Sequence, residues 1–247
     1  MAKWQWILTL ITLLFAAGPL VSLGVNEVDL GADWQTADRQ SAGIAPDPAE
    51  ISEAVVQIYA ARAFSWRGIF GVHTWIAIKP LKAAKFTVFQ VIGWYPMFGR
   101  PALSIEEDLP DRHWYGNEPE IILDIRGKSA EALFEKMRAA IAAYPYSNYR
   151  MWPGPNSNTF TAHVARSVPE LGLALPSTAI GKDFLSNHRT FAPVPSGTGH
   201  QISFFGLFGV LYGAKEGFEF NFMGLIFGFN LLRPAILLPG IGRIALT

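Results

Sequence analysis

The sequence predicts an α+β fold in which an antiparallel β meander precedes two helices. Four short runs between Ala54 and Arg126 are rich in β-branched and aromatic residues and are bounded by Gly or Pro. Beyond Ser129 the apolar spacing changes from a period of two to that of a helix. The 247 residues suit one good-sized core with appended segments.

From Trp4 to Val25 the chain carries no charge, and Ile7, Leu8, Leu10, Ile11, Leu13, Leu14 and Phe15 form a dense apolar block. About 20 such residues span a bilayer as a helix. Lys3 precedes the block while Glu27, Asp29 and Asp33 follow it, which orients the start of the chain toward the cytoplasm. A cleavable signal peptide is the alternative, with Ala16-Ala17-Gly18 as the nearest cleavage site. The run is long for a signal, so residues 1–25 are read as an uncleaved transmembrane anchor, kinked or ended at Pro19. That reading puts the main domain on the periplasmic, extracytoplasmic side of a bacterial inner membrane, with lipid as the partner of residues 4–25. Residues 26–51 are polar and aperiodic and read as a linker.

The domain is expected over 52–185. Its strands are Ala54 to Phe64, Val72 to Lys79 (stopped by Pro80), Phe86 to Ile92 and Glu120 to Arg126. Glu106, Glu107 and Asp108 read as a solvated turn. Ser129 caps a helix to about Ala143, with Leu133, Phe134, Met137 and Ile141 on one apolar face. After W-P-G-P (Trp152 to Pro155) a second helix starts near Ser157 and ends before Pro169. Residues 186–247 form a loop and an apolar, β-rich extension. There F-E-F-N-F (Phe218 to Phe222) alternates, with Gly213 to Gly217 as a hairpin turn. The spacings Gly209/Gly213 and Gly224/Gly228 instead suit close helix packing in a membrane, but Glu219 would be costly there. A hairpin covering the core or dipping into the membrane surface is the preferred reading.

Lys plus Arg and Asp plus Glu are 20 each, and the basic residues are scattered, so no electrostatic footprint for nucleic acid exists. With no cysteine, disulfides, thiolate metal sites and cysteine nucleophiles are excluded. No histidine spacing suggests a metal, and no motif calls for a cofactor.

A helix start favours developing negative charge, so Ser157 is the candidate nucleophile, with the flanking Asn156 and Asn158 as oxyanion or positioning groups. The structural alternative is an N-cap serine or asparagine. His73, near the start of the alternating V-H-T-W-I-A-I-K strand, is the candidate base. A hairpin between the second and third strands would bring Gln90 across from it. His113 is the other candidate to orient the ring. Trp75, Tyr115, Tyr149 and Trp152 would frame a groove for an envelope small molecule or peptide.

The order of H-x-x-I on a strand, a strand ending in I-R, a helix, a Tyr-rich loop and then N-S-N-T-F at a helix start resembles the circularly permuted NlpC/P60 and lecithin:retinol-acyltransferase group of papain-like proteins. The likeness covers about Val55 to Arg166. It implies a papain-like domain with Ser157 at the position of the nucleophilic cysteine and His73 at that of the histidine. The phrases V-H-T-W-I-A-I-K, W-P-G-P-N-S-N-T-F and L-P-G-I-G-R also resemble an uncharacterised bacterial family of membrane-anchored proteins with a domain of unknown function. Serine needs far more activation than cysteine, and no Asp or Glu adjoins His73 in sequence. The function expected is therefore a catalytically degenerate, membrane-anchored domain that keeps a ligand groove. The alternatives are a serine-dependent acyl hydrolase or transferase acting on an envelope amide, ester or thioester, and an envelope scaffold or lipid-binding protein using the C-terminal apolar segment.

Overall fold

A computed structural model describes residues 3–24 and 28–246. Its helices and antiparallel sheets make the chain α+β, as expected from the sequence. Strands β1 (Val55–Arg62), β2 (Val72–Lys79), β3 (Thr87–Val91), β4 (Leu103–Glu107) and β5 (Glu120–Arg126) form one antiparallel sheet in the order β4-β3-β2-β1-β5. β1 is buried from Val55 to Ala61, Gln57 included, because both faces of the sheet are covered there. β4 was not expected: Glu106 and Glu107 lie in it rather than in a turn. An edge strand tolerates them because their side chains reach solvent, where they pair with Arg100 and Lys85.

The two faces of this sheet bury different partners. On one, Val56, Ile58, Ile76, Ile78, Phe89 and Val91 meet the helices. These are α2 (Gly127–Glu131), α3 (Phe134–Ala142) and α4 (Ser157–Ser167). The single helix expected after Arg126 is broken into α2 and α3, where an i→i+3 bond from the Leu133 amide to the Ala130 carbonyl tightens the turn between them. Arg126 rather than Ser129 precedes the first turn. Leu133, Met137 and Ile141 still face the core as their spacing requires. On the other face lie Val55, Tyr59, Ala61, Trp75, Ala77 and Val88, with Ile121 of β5 beside them, roofed by Trp114 and Ile51.

That roof is held by a strap from the segment expected to be a linker. The buried Asp111 carboxylate accepts hydrogen bonds from Ser41 Oγ and from the Ile44 and Ala45 amides. Gly116 N and His113 N donate to the carbonyls of Asp38 and Gln40. One buried carboxylate thus orders a stretch that composition alone marks as irregular.

The C-terminal hairpin proves to be part of a seven-stranded antiparallel meander. It comprises β6 (Phe191–Pro193), β7 (Gly199–Phe204), β8 (Phe208–Gly213), β9 (Gly217–Phe222), β10 (Leu225–Asn230), β11 (Ala235–Leu238) and β12 (Gly242–Ala245), paired in sequence order. Gly209, Gly213, Gly224 and Gly228 lie in its strands and turns, not on packed helices. Register aligns its outward side chains in rows. Phe204, Phe208, Phe222 and Leu225 form one. Phe191, Ile202, Val210, Phe220 and Phe227 form the next. Tyr212, Phe218, Phe229, Ile236 and Ile244 continue a third from His200. The opposite, inward face carries Gln201, Ser203, Leu211, Glu219 and Asn221, all buried. The sheet is inside out: its polar face is covered and its apolar face is largely exposed.

Helix α1 (Lys3–Gly24) runs on past Pro19 and packs against this sheet. The Phe15 ring meets Phe222 and Phe227 edge-on at 5.5 and 4.7 Å, and Ser22 Oγ donates to the Gly240 carbonyl at 3.2 Å. At Gly18 a Cβ would sit 1.6 Å from the Pro239 carbonyl oxygen, so only glycine permits the approach. The expected anchor therefore docks on the fold, and among the described residues no helix is long and apolar enough to cross a membrane. The expected anchor end at Val25 and the first linker residues, 26 and 27, lie outside the described residues.

Candidate functional site

Asn156, not Ser157, caps α4. Its backbone is extended (φ −142°, ψ −168°), and its side-chain oxygen accepts from the amides of Asn158 and Thr159 at 3.0 and 3.1 Å. Thr159 Oγ1 accepts in return from the Asn156 amide, which completes a capping box. Asn156 Nδ2 donates to the carbonyls of Met151 and Ile180. Asn158 Nδ2 donates to those of Val72 and Ile180 at 2.9 and 2.8 Å. Both asparagines expected as oxyanion groups are thus engaged in fastening the helix start to β2 and to the chain after it.

Ser157 is the first residue of α4 and is 5% exposed. Its carbonyl lies near the Thr74 and Thr161 hydroxyls, and its own hydroxyl has no hydrogen-bond partner among the described residues. Thr74 Oγ1 is 2.9 Å from both Asn158 Oδ1 and Thr161 Oγ1, so Thr74 points at α4. Successive strand residues point to opposite faces, and His73 accordingly lies on the other side of the sheet. Its ring stacks on Trp114 (centroids 3.5 Å, planes 7° apart) and contacts Trp75 at 5.7 Å. The five-stranded sheet therefore separates the expected nucleophile from the expected base, and the predicted dyad does not assemble.

The expected contact with Gln90 is present, with His73 Nε2 3.3 Å from Gln90 Oε1. Burial lowers the imidazole pKa to about 3, against which the Gln90 hydrogen bond works only weakly. A ring that stays neutral through the physiological range and is stacked under a tryptophan is a poor proton acceptor. His113 lies in the roof loop, with Nδ1 3.0 Å from the Gln40 carbonyl and 3.7 Å from Asp38 Oδ2. It holds the strap through these two contacts rather than orienting His73.

The expected groove residues are also divided. Trp75 is buried on the roofed face, where its Nε1 donates to the Pro110 carbonyl and its ring stacks on Tyr59. Tyr115 belongs to the roof: Arg39 sits 4.4 Å over its ring, and Trp94 and Trp114 meet it edge-on. Tyr149 packs against the helix-side core, closely over Gly93. Trp152 leans on the C-terminal sheet, its Nε1 donating to the Met223 carbonyl at 2.9 Å. Each is engaged with a different part of the fold, so the four do not line one opening. A cavity of ≈ 190 Å³ lies elsewhere, between Tyr146, Phe184, Phe205 and Arg189.

A cluster the sequence reading did not single out lies beneath the C-terminal sheet. Lys182 Nζ donates to Glu219 Oε2 at 2.5 Å and lies 3.4 Å from Asp183 Oδ1. Asn221 Nδ2 donates to Asp183 Oδ2, and an Arg166 guanidinium nitrogen to the Lys182 carbonyl and Gln201 Oε1. Glu216 accepts from the Ser196 amide and hydroxyl. Burial opposes the Lys182 ammonium, but the carboxylates of Asp183, Glu219 and Glu216 outweigh it and raise its pKa. Burial raises Glu219 to about 7 despite Lys182, because Asp183 and Glu216 repel its charge. Three carboxylates facing two cations leave a surplus negative charge, and Glu219 is where a proton relieves it. The only hint in sequence is Glu219 and Asn221 alternating with phenylalanines, which puts them on one face without saying that this face is covered.

Among the described residues no group of three or more His, Asp or Glu is placed to hold a metal ion. No curated protein and no solved structure matches the chain. A family model described as a protein of unknown function (DUF3750) matches residues 53–184. That span takes in the whole five-stranded sheet, α2 to α4 and the Lys182–Asp183 half of the buried cluster, more than half of the chain. On that match the chain belongs to the DUF3750 family.

Proposed function

We propose that this chain is a non-catalytic module held at the extracytoplasmic surface of a bacterial inner membrane, its DUF3750 domain serving as an envelope scaffold. The observation that carries the reading is the seam between α1 and the C-terminal sheet. A helix of 22 residues, uncharged beyond its first residue Lys3, and a sheet with an apolar outer face meet through Phe15, Phe222 and Phe227. Together they form one apolar layer on one side of the molecule, with the polar domain behind it. Lys3 at the start of the helix and Asp29 and Asp33 after it favour the extracytoplasmic side. The acyl-transfer alternative has little to stand on, since the Ser157 hydroxyl has no base and His73 is held neutral behind the sheet.

The test is membrane fractionation of the full chain. It should stay with membranes through an alkaline carbonate wash, and recovery in the soluble fraction would sink the reading. A fluorophosphonate probe on the same material should leave Ser157 unlabelled. Labelling that disappears in Ser157→Ala would restore the enzyme reading.

A further inference from the structure

We infer that the part of the seven-stranded sheet's outer face left open beside α1 is itself a lipid-docking surface, matched to an anionic bilayer. The inference rests on the membrane reading above and adds a second contact to it. Phe204, Phe208, Val210, Tyr212, Phe220 and Phe229 are 40–60% exposed on this one face. They are contiguous, because the register places them in adjacent rows. Scattered apolar residues on a surface are ordinary, but a continuous patch of this kind marks an interaction site.

Two observations name the occupant. The first is charge. Residues 186–247 contain Arg189, Lys215, Arg233 and Arg243 against two carboxylates, Glu216 and Glu219. Both carboxylates are buried, at 6% and 3% exposure, while the three arginines are exposed. Exposed formal charge in this segment is therefore all positive; Arg243, opposite Leu237 on the last strand, belongs to the row of the inward face, which leaves Arg189 and Arg233 to meet a negatively charged leaflet. The same charge disfavours a second copy of the chain, whose arginines would meet the same sign.

The second observation is continuity. Phe15 places α1 against Phe222 and Phe227 on the same face, and Trp4 and Trp6 on that helix are 75% and 61% exposed. Whatever solvates the apolar helix meets the sheet beside it. Leu231 and Leu232 at 80% and 72% exposure stand next to Arg233, an apolar tip with a cationic collar. That arrangement lets side chains enter the acyl boundary while the guanidinium stays at the phosphates.

The absence of cysteine permits unique labelling of the full chain. Single variants Val210→Cys (outer face), Leu20→Cys (α1) and Glu131→Cys (exposed on α2) would carry an environment-sensitive fluorophore. Each would be reconstituted in vesicles containing about one-third phosphatidylglycerol, with lipids bearing a chain-attached quencher. The Val210 and Leu20 probes should be quenched and the Glu131 probe spared. Adding Arg189→Gln and Arg233→Gln, or using purely zwitterionic vesicles, should remove most quenching at Val210 and leave Leu20 unchanged. Quenching at Leu20 alone overturns the sheet contact while the anchoring stands; quenching at neither site overturns both. Equal quenching at Val210 in both vesicle types would refute the anionic preference. Probe self-quenching at Val210 without lipid quenching would assign the face to a second copy instead.

Discussion

His73 offers a direct measurement of whether the roofed face is a packed core or a catalytic site. Its imidazole titrates at about 6.5 in an unfolded chain. In the fold, burial lowers it to about 3. Between those values the unfolded chain binds a proton that the folded chain does not, so stability falls as the pH drops. The contribution is complete above pH 6.5 and is lost progressively toward pH 3. At pH 4.5 the loss spans about two pH units, on the order of 3 kcal/mol. That is a large fraction of the roughly 5–15 kcal/mol that holds a domain together. His73→Phe keeps a ring against Trp114 and removes the titration. The half-buried Gln90 amide loses its partner but can turn to water. Urea midpoints for both proteins in detergent at pH 7.5, 6.0, 5.0 and 4.5 would give the comparison, followed by tryptophan emission. The gap between them should move by on the order of 3 kcal/mol over this range, in favour of the variant at low pH. A half-buried histidine, His163, is lowered by burial too and shifts both proteins alike. Parallel profiles would refute the reasoning. So would an imidazole that titrates near neutrality by NMR, because a base poised there is what a catalytic site requires.

Lys182→Met leaves Glu219, Asp183 and Glu216 buried without their ammonium and should destabilise the fold by about 3–5 kcal/mol in urea unfolding. Joining it to Glu219→Leu should recover part of the loss, because the shortest-paired carboxylate goes with its ammonium while Asp183 and Glu216 remain; a double variant no more stable than the single one would contradict this. Asn158→Ala removes donors from the carbonyls of Val72 and Ile180 and the partner of Thr74. It should cost about 2–4 kcal/mol by the same assay, whereas Ser157→Ala should cost less than about 1 kcal/mol. A reversed order would return Ser157 to the centre of the site.

Local pattern carried more of the fold than of the site. Alternation in V-H-T-W-I-A-I-K, ended by Pro80, located β2 and already put His73, Trp75 and Ala77 on one face. A hairpin offset was enough to bring Gln90 to His73. The face α4 would cover was not legible, because it depends on contacts between residues more than 80 positions apart, such as Thr74 with Asn158. A helix placed on the other face would have brought Ser157 toward His73; the observed one gives it Thr74. The Asp111 strap was hidden for the same reason, since nothing local ties residues 41–45 to a carboxylate beyond residue 100. In F-E-F-N-F the strand was visible and the inside was not. Period two defines two faces, and only the neighbouring domain decides which is covered.

That decision is unusual in its direction. In water, burying Glu219 and Lys182 carries a desolvation cost while leaving phenylalanines exposed forfeits about 1.5–3 kcal/mol for each one that could have been buried. Shifting a strand by one residue would reverse every side chain and put the phenylalanines inside. Polar pairing with the domain opposes that reversal. Arg166, Lys182 and Asp183 come from the family-matched segment, while Gln201, Glu219 and Asn221 come from the sheet. The bonds between the two sets fix the sheet's orientation on the domain through hydrogen-bond geometry. A flipped strand would leave Lys182 and Asp183 buried beside phenylalanine, with each charge unpaired across the seam. The seam thus specifies which face points outward, and the proposed lipid contact makes that outward face favourable. The two features depend on each other: an apolar exterior needs a polar lock to stay outside, and the polar lock is worth its desolvation only if the exterior has an apolar phase to meet.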